Sequence, residues 1–224
     1  MEMMSLLLKL QTIQHLSHLK WNLHPQNKKD LPAEPADSGI ASLATEAEGK
    51  VPAPSSSNCG FSDILFVVDS TGSVHNVYEL QRSYILQLAE QLTIGPEDQH
   101  VGLVLYSSKD RQEIVVELDA VPTKEDFLQI IKALPYHGGI TATGAALSLA
   151  QKALEKRRAE KKTLVIVLTD GFSYDNTKPA SDALNSLPNV VVVAAGDTDH
   201  FIQQVLEEMP ETHLVLLGEE NKPK

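Results

Sequence analysis

The sequence predicts an α/β fold, a mainly parallel sheet with helices packed on both faces. Three observations carry this prediction. From residue 61 onward, short apolar runs alternate with segments whose apolar residues recur every three or four positions. Two of those runs, FSDILFVVD at 61–69 and TLVIVLT at 163–169, are continuous enough for strands buried on both faces. The link between runs 100–106 and 114–118 is the short polar stretch 107–113, which permits one antiparallel hairpin at a sheet edge.

The elements follow in order. The strand at 61–69 precedes a helix over 74–92, where Val77, Tyr84, Ile85, Leu88 and Leu92 share helical spacing and Gly95-Pro96 stops the pattern. Strands at 100–106 and 114–118 are followed by a short helix over 124–134 that ends at Pro135. A longer helix spans 143–158, and the strand at 163–169 comes next. A helix near 180–187, a strand at 190–195, a helix over 199–209 and a last strand at 213–217 complete the alternation.

The rest of the chain reads differently. In residues 1–24, Leu6, Leu10, Ile13, Leu16, Leu19 and Leu23 have amphipathic helical spacing, as a marginal helix, a disordered arm or a partner-binding helix would. The apolar block ends at Lys9, and Glu2 stands where a signal peptide carries a basic region, so no secretory signal is read there. His15 and His18 lie one turn apart with no third ligand nearby, which suits a solvated polar face. Residues 25–58, with Pro25, Pro32, Pro35, Pro52, Pro54 and three consecutive serines, have linker composition. The expected division is therefore an arm at 1–24, a linker at 25–58, one domain at 59–218 and a tail at 219–224.

Composition narrows the function classes. Of the net charge of −11, residues 1–58 contribute −1 and the remainder −10. That balance argues against a protein built to grip nucleic-acid phosphates. A single cysteine cannot close an intrachain disulfide or build a Cys-rich zinc module. There is no apolar run of about 18 residues such as a transmembrane helix needs. The basic run Lys156-Arg157-Arg158 with Lys161 and Lys162 falls at a predicted helix C-terminus, where cations complement the dipole on a solvated face.

Ligands of open α/β sheets bind beyond the carboxyl ends of the strands. The first strand leaves through Asp69-Ser70-Thr71-Gly72-Ser73, and the strand at 163–169 through Thr169-Asp170-Gly171. Between them, Gly138-Gly139-Ile140-Thr141-Ala142-Thr143-Gly144 opens a helix. Singly, Ser73 or Thr143 reads as an N-cap and Asp170-Gly171 as a turn. Jointly they gather two carboxylates and several hydroxyls with no Lys or Arg among them, and such carboxylates repel one another unless a cation lies between them. Hard oxygen donors with few carboxylates suit Mg²⁺, and Mn²⁺ fits the same shell.

On these motifs, residues 63–217 resemble the von Willebrand factor type A domain found in integrin inserted domains, matrilins and type VI collagen. The family's mark is the metal-ion-dependent adhesion site, D-x-S-x-S followed by a distant Thr and a distant Asp. Here Asp69-x-Thr71-x-Ser73 matches the first part, with Thr keeping the hydroxyl and adding a methyl group. Thr141 matches the distant Thr and Asp170 the distant Asp. The resemblance implies that Thr71, Ser73 and Thr141 bind the metal through their hydroxyls, and that Asp69 and Asp170 neutralise it directly or through water. A partner protein's Glu or Asp carboxylate then completes the shell, with 107–110, 136–137 and 172–176 as candidate rim loops. It also implies an extracellular, matrix-type location.

Two departures from the family stand out. Cys59 occupies the first place of a family disulfide without its second half, which leaves it free or paired with another chain. The chain is also expected to stop short of the family's closing helix, on which an integrin-like switch depends, so that it is a fragment, or another element covers the apolar surface of that sheet face. Two alternatives to an adhesion or matrix-binding domain stay open at this stage. One is an intracellular scaffold module for complex assembly, which the free cysteine, the missing signal peptide and the absence of an N-x-S/T acceptor favour. The other is a metal-dependent enzyme. Against it, Thr71 stands where a phosphoryl-transferring aspartate needs a second acid, and no P-loop, G-x-G-x-x-G or G-x-S-x-G motif occurs.

Overall fold

All seven residues of strand β1 (Asp63–Asp69) are buried, and their side chains divide between two cores. Ile64, Phe66 and Val68 point into one, Leu65 and Val67 into the other. This is the period of two expected for a strand covered on both faces. The computed structural model describes residues 60–171, 173–196 and 214–216.

Among the described residues the sheet has six strands, in the order β3-β2-β1-β4-β5-β6. They are β1, β2 (His100–Tyr106), β3 (Gln112–Val116), β4 (Thr163–Leu168), β5 (Val190–Gly196) and β6 (Leu214–Leu216). Every neighbouring pair is parallel except β2 and β3, the edge hairpin. β1 runs in register with both neighbours, Asp63 opposite His100 and Thr163, so β1, β2 and β4 present their carboxyl ends at one edge. Strand order reverses between β1 and β4, the place where an open sheet of this kind forms a crevice.

Among the described residues, four helices cover the sheet. Helices α1 (Tyr78–Gln91) and α2 (Lys124–Lys132) contribute Tyr84, Ile85, Leu88, Phe127 and Ile131 to the first core. Helices α3 (Thr143–Ala153) and α4 (Lys178–Asn185) contribute Ala146, Leu147, Ala150, Ala153 and Leu184 to the second. Alanine dominates the α3 face, which lets that helix lie close to the sheet. The predicted α/β fold with helices on both faces is therefore observed.

The structure corrects several boundaries. The helix expected from Val74 starts at Tyr78, because residues 74–77 turn to bring Ser73 to the sheet edge, with Val77 N–H donating to Val74 O at 2.9 Å. The helix expected through Arg158 ends at Ala153, followed by one 3₁₀ turn (Leu154–Lys156) and an extended Arg157. That break lets Arg158 reach back to the start of β1. β3 lies two residues earlier than expected, and a register shift at Leu103/Val104 leaves Leu118 buried in the second core outside any strand. The arm, the linker, Cys59, the helix expected at 199–209, the tail at 219–224 and any closing helix lie outside the described residues.

Candidate metal centre

β1 ends at Asp69, whose fully buried carboxylate organises the sheet edge. Its Oδ1 accepts the Thr71 backbone N–H at 2.9 Å, a two-residue bond that turns the chain sharply off the strand. Its Oδ2 accepts the Tyr106 hydroxyl at 3.1 Å and the Thr169 hydroxyl at 3.0 Å, from the ends of β2 and β4. Ser70 ties the turn down by donating Oγ and backbone N–H to Tyr106 O, both at 2.8 Å.

The segment 138–141 closes over this turn. Gly138 N–H donates to Ser70 O at 2.8 Å and Gly72 N–H donates to Gly139 O at 2.9 Å. Gly138 (φ 64°) and Gly139 (φ 98°) have left-handed backbones that side chains resist. The Ser107 hydroxyl donates to Gly138 O from beneath. Ser107 is fully buried, so it anchors the loop and does not belong to the rim expected for 107–110.

Three hydroxyls meet above Asp69. Thr141 Oγ1 lies 3.0 Å from Thr71 Oγ1, Thr71 Oγ1 lies 3.1 Å from Ser73 Oγ, and Ser73 Oγ lies 3.4 Å from Thr141 Oγ1. Thr71 and Thr141 are buried, and Ser73 forms the exposed lip. Ser73 is not an N-cap. The cap position of α1 is Val77, with no side-chain bond, so the Ser73 hydroxyl is committed to the triangle. Asp170 is buried beside the site, and Gly171 turns there with φ 85° while donating its N–H to Thr169 Oγ1 at 3.1 Å.

Charge at this edge is uncompensated at Asp69. Among the described residues, no Lys or Arg forms an ion pair with it. Burial pushes its carboxyl up to about 6, with the Asp170 charge adding to the rise and hydrogen bonds from Thr71 and Thr169 opposing it. Tyr106 is pushed well above its usual range by burial and by Asp69, so its hydroxyl stays a neutral donor.

The donor set fits a hard divalent cation. Adjacent oxygens around an octahedral Mg²⁺ at about 2.0–2.1 Å lie roughly 2.9 Å apart, close to the 3.0–3.4 Å edges of the hydroxyl triangle. Among the described residues no three His, Cys, Asp or Glu side chains cluster, so most of the oxygen donors here are hydroxyls. The structure thus brings Asp69, Thr71, Ser73 and Thr141 into one hydrogen-bonded group and sets Asp170 within electrostatic reach of Asp69.

The loop expected at the rim over 172–176 also has a supporting role that the sequence did not signal. Thr143 does not cap α3. The loop 173–176 does so from across the edge, Ser173 Oγ accepting Thr143 N–H at 3.0 Å and Asp175 accepting Gly144 and Ala145 N–H at 2.8 Å each. Gly144 is required at this contact, since a Cβ there would lie 2.4 Å from Asn176 O. Tyr174 N–H donates to Thr141 O at 3.0 Å, tying the same loop to the hydroxyl triangle. Tyr106 and Thr169, each at a strand end, follow the rule that located Asp69; Asp175, 30 residues from its partner Ala145, carried no local signal.

Comparison with known proteins agrees with this geometry. The model of the von Willebrand factor type A domain matches residues 63–220. Collagen alpha-1(XX) chain of Mus musculus is 33% identical over 155 residues, covering 66% of this chain and 12% of that protein. Matrilin-1 of Bos taurus is 31% identical over 163 residues, covering 68% and 30% respectively. The chain thus spans 30% or less of the length of these two relatives. Among solved structures, proximal thread matrix protein 1 from the mussel byssus with a zinc-occupied MIDAS motif aligns with TM-score 0.58 and 27% identity, over 70% of this chain and 41% of that one. The manganese-loaded Plasmodium vivax TRAP protein aligns with TM-score 0.57 over 68% and 65%, and at 20% identity that likeness concerns the fold alone.

Proposed function

The chain belongs to the von Willebrand factor type A domain family, and on that premise we propose that its sheet edge is a divalent-cation site that recognises a carboxylate of a partner protein. The observation that carries the reading is the triangle of hydroxyls above the buried Asp69, which has neutral donors and no cationic partner among the described residues. Its similar proteins belong to the extracellular matrix, and the mussel byssus protein 27% identical to it carries zinc at its MIDAS motif. Those facts support a divalent cation in general. Mg²⁺, with Mn²⁺ as its substitute, is the assignment we favour, from the oxygen-only donor set.

Each residue has a role in this reading. Thr71, Ser73 and Thr141 present three neutral oxygens on one side, leaving the outward side open. Asp69 and Asp170 supply the negative charge from below, while Tyr106 and Thr169 hold the Asp69 carboxylate in place. A bound ion supplies an electrophilic position that a partner's Glu or Asp carboxylate fills. Recognition, with no bond made or broken, suits the site, because among the described residues no imidazole, thiol or amine is hydrogen-bonded to its hydroxyls. The proposed location is extracellular, and the proposed partner is a matrix or adhesion protein.

Calorimetric titration of Mg²⁺ into the wild type and into Asp170→Ala tests the reading. The wild type is expected to bind one ion, and the variant to bind at least about tenfold more weakly, a difference of about 1.4 kcal/mol. A wild type that takes up neither Mg²⁺ nor Mn²⁺ overturns the metal site. Equal binding by both proteins removes Asp170 from it.

A further inference from the structure

Apolar exposure in the described domain is concentrated at the proposed metal edge. Four large hydrophobic side chains are exposed, and three of them, Tyr136 (39%), Ile140 (63%) and Tyr174 (72%), sit on loops that carry the hydroxyl triangle. Tyr136 OH donates to Thr71 O at 3.0 Å, Ile140 directly precedes Thr141, and Tyr174 N–H donates to Thr141 O at 3.0 Å.

The Tyr136 ring and the backbone that carries Tyr174 are held in place by their surroundings. The Tyr136 ring packs against His75 and Tyr78, with centroids 5.1 and 5.3 Å apart. Tyr174 is flanked by Ser173 and Asp175, both engaged in capping α3, so its backbone is anchored on either side. Pre-placed aromatic side chains lose little freedom on binding, which is what makes such residues anchors in protein interfaces. The segments 69–73, 135–141 and 169–176, which hold these side chains and the hydroxyl triangle, contain no Lys or Arg; the exposed Lys109 and Arg111 belong to the neighbouring loop 107–111.

We propose that the partner presents its acidic residue next to a bulky aliphatic or aromatic side chain, which Tyr136, Ile140 and Tyr174 receive while the acid meets the ion. This selectivity rests on the reading of the edge as a carboxylate-accepting cation site and adds a second requirement to it. The partner is an extended protein segment with an acid–apolar pair.

The test uses two synthetic pentapeptides coupled to a sensor surface, each with a central Glu, flanked by Leu and Phe in one and by Ser on both sides in the other. The full chain is passed over both in Mg²⁺ and in EDTA. The apolar-flanked peptide is expected to bind at least tenfold tighter in Mg²⁺ and to lose binding in EDTA. The double variant Ile140→Ser, Tyr174→Ser is expected to bring the ratio between the peptides close to one, and both positions are exposed enough for the fold to tolerate the change. Equal metal-dependent binding of the two peptides by the wild type overturns the apolar requirement and leaves the cation site standing. Apolar-flanked binding that persists in EDTA overturns the cation reading on which the inference rests. Failure of that peptide to bind a protein shown by calorimetry to hold Mg²⁺ overturns the inference as well.

Discussion

The two ends of β1 each bury an aspartate, and they treat it in opposite ways. Asp63 opens the strand and Asp69 closes it, and both are fully buried. At the first end Arg158 encloses the carboxylate, its backbone N–H on Oδ2 at 2.7 Å and its Nε on Oδ1 at 2.8 Å. The same guanidinium donates to Ser62 O at 2.6 Å and Asp98 O at 2.9 Å, stitching β1 to the loop before β2. At the second end Asp69 receives an amide and two neutral hydroxyls, and its carboxyl rises to about 6 through burial. One end is complete within the chain. The other holds a buried carboxylate that no Lys or Arg among the described residues pairs, which is the condition expected at a binding site.

Arg158→Ala breaks the contrast most forcibly. It leaves a buried carboxylate unpaired, and unfolding in denaturant is expected to show a loss of about 3 kcal/mol. The double variant Asp63→Asn, Arg158→Met is expected to recover part of that loss, because neither a charge nor its partner then remains. A loss below about 1 kcal/mol for Arg158→Ala would mean that water reaches this end and that the two poles are not distinct.

Asp69→Asn is expected to act with the opposite sign. With EDTA at pH 7 it removes a buried charge while keeping the oxygen that accepts Thr71 N–H, and the hydroxyls of Tyr106 and Thr169 can turn to accept from the amide. The metal-free fold should gain roughly 1–3 kcal/mol, the upper value being two pKa units at 1.36 kcal/mol each. The sign with pH follows from a folded pKa of about 6 against the ordinary 3.8. The favourable contribution is complete below 3.8 and is lost as pH rises through about 6. In EDTA, the wild type should therefore lose stability relative to Asp69→Asn between pH 4 and pH 7. Mg²⁺ at about 100 times its dissociation constant should restore about 2.7 kcal/mol to the wild type and little to the variant. Parallel pH profiles for the two proteins would contradict the assignment of Asp69 as the unpaired pole.

Asp175→Ala sharpens the comparison at the metal end. It uncovers two N-terminal N–H groups of α3, and thermal unfolding should report a loss of about 1 kcal/mol. Because Tyr174 ties the loop to Thr141, calorimetry should also show several-fold weaker Mg²⁺ binding. Ser73→Ala is expected to have the smallest effect on folding, within about 0.5 kcal/mol in EDTA, because the side chain is exposed and caps nothing. It should nevertheless reduce the stabilisation that Mg²⁺ provides. A large folding defect here would mean that the Ser73 hydroxyl serves the fold more than the ion.

Much of this molecule was legible in one dimension. Buried parallel strands announce themselves as continuous apolar runs, so β1 and β4 were readable directly, and the polar 107–113 stretch correctly implied the β2–β3 hairpin. The residues leaving those strands were also readable, because a sheet in register delivers its strand ends to one edge. The structure does place the Thr71, Ser73 and Thr141 hydroxyls within 3.4 Å of one another, although two of them are separated by 70 positions.

The misreadings share a cause. Arg158 belongs to a basic run that resembles a solvated helix terminus, and nothing near it in sequence reveals Asp63, 95 positions away. Asp175 falls in a loop read only as part of the rim, yet its partners are backbone amides on a helix it does not belong to. Ser73 carried the reverse ambiguity, since a hydroxyl before a helix reads as a cap until the helix is seen to start at Tyr78. By itself, the sequence determined the strand pattern, the two cores and the chemical character of the edge, because periodicity and residue type are local properties. Only the tertiary structure decided which buried carboxylate has a partner in the chain. Pairing a buried charge depends on which distant groups the fold brings within about 3 Å, and spacing along the chain does not record that distance.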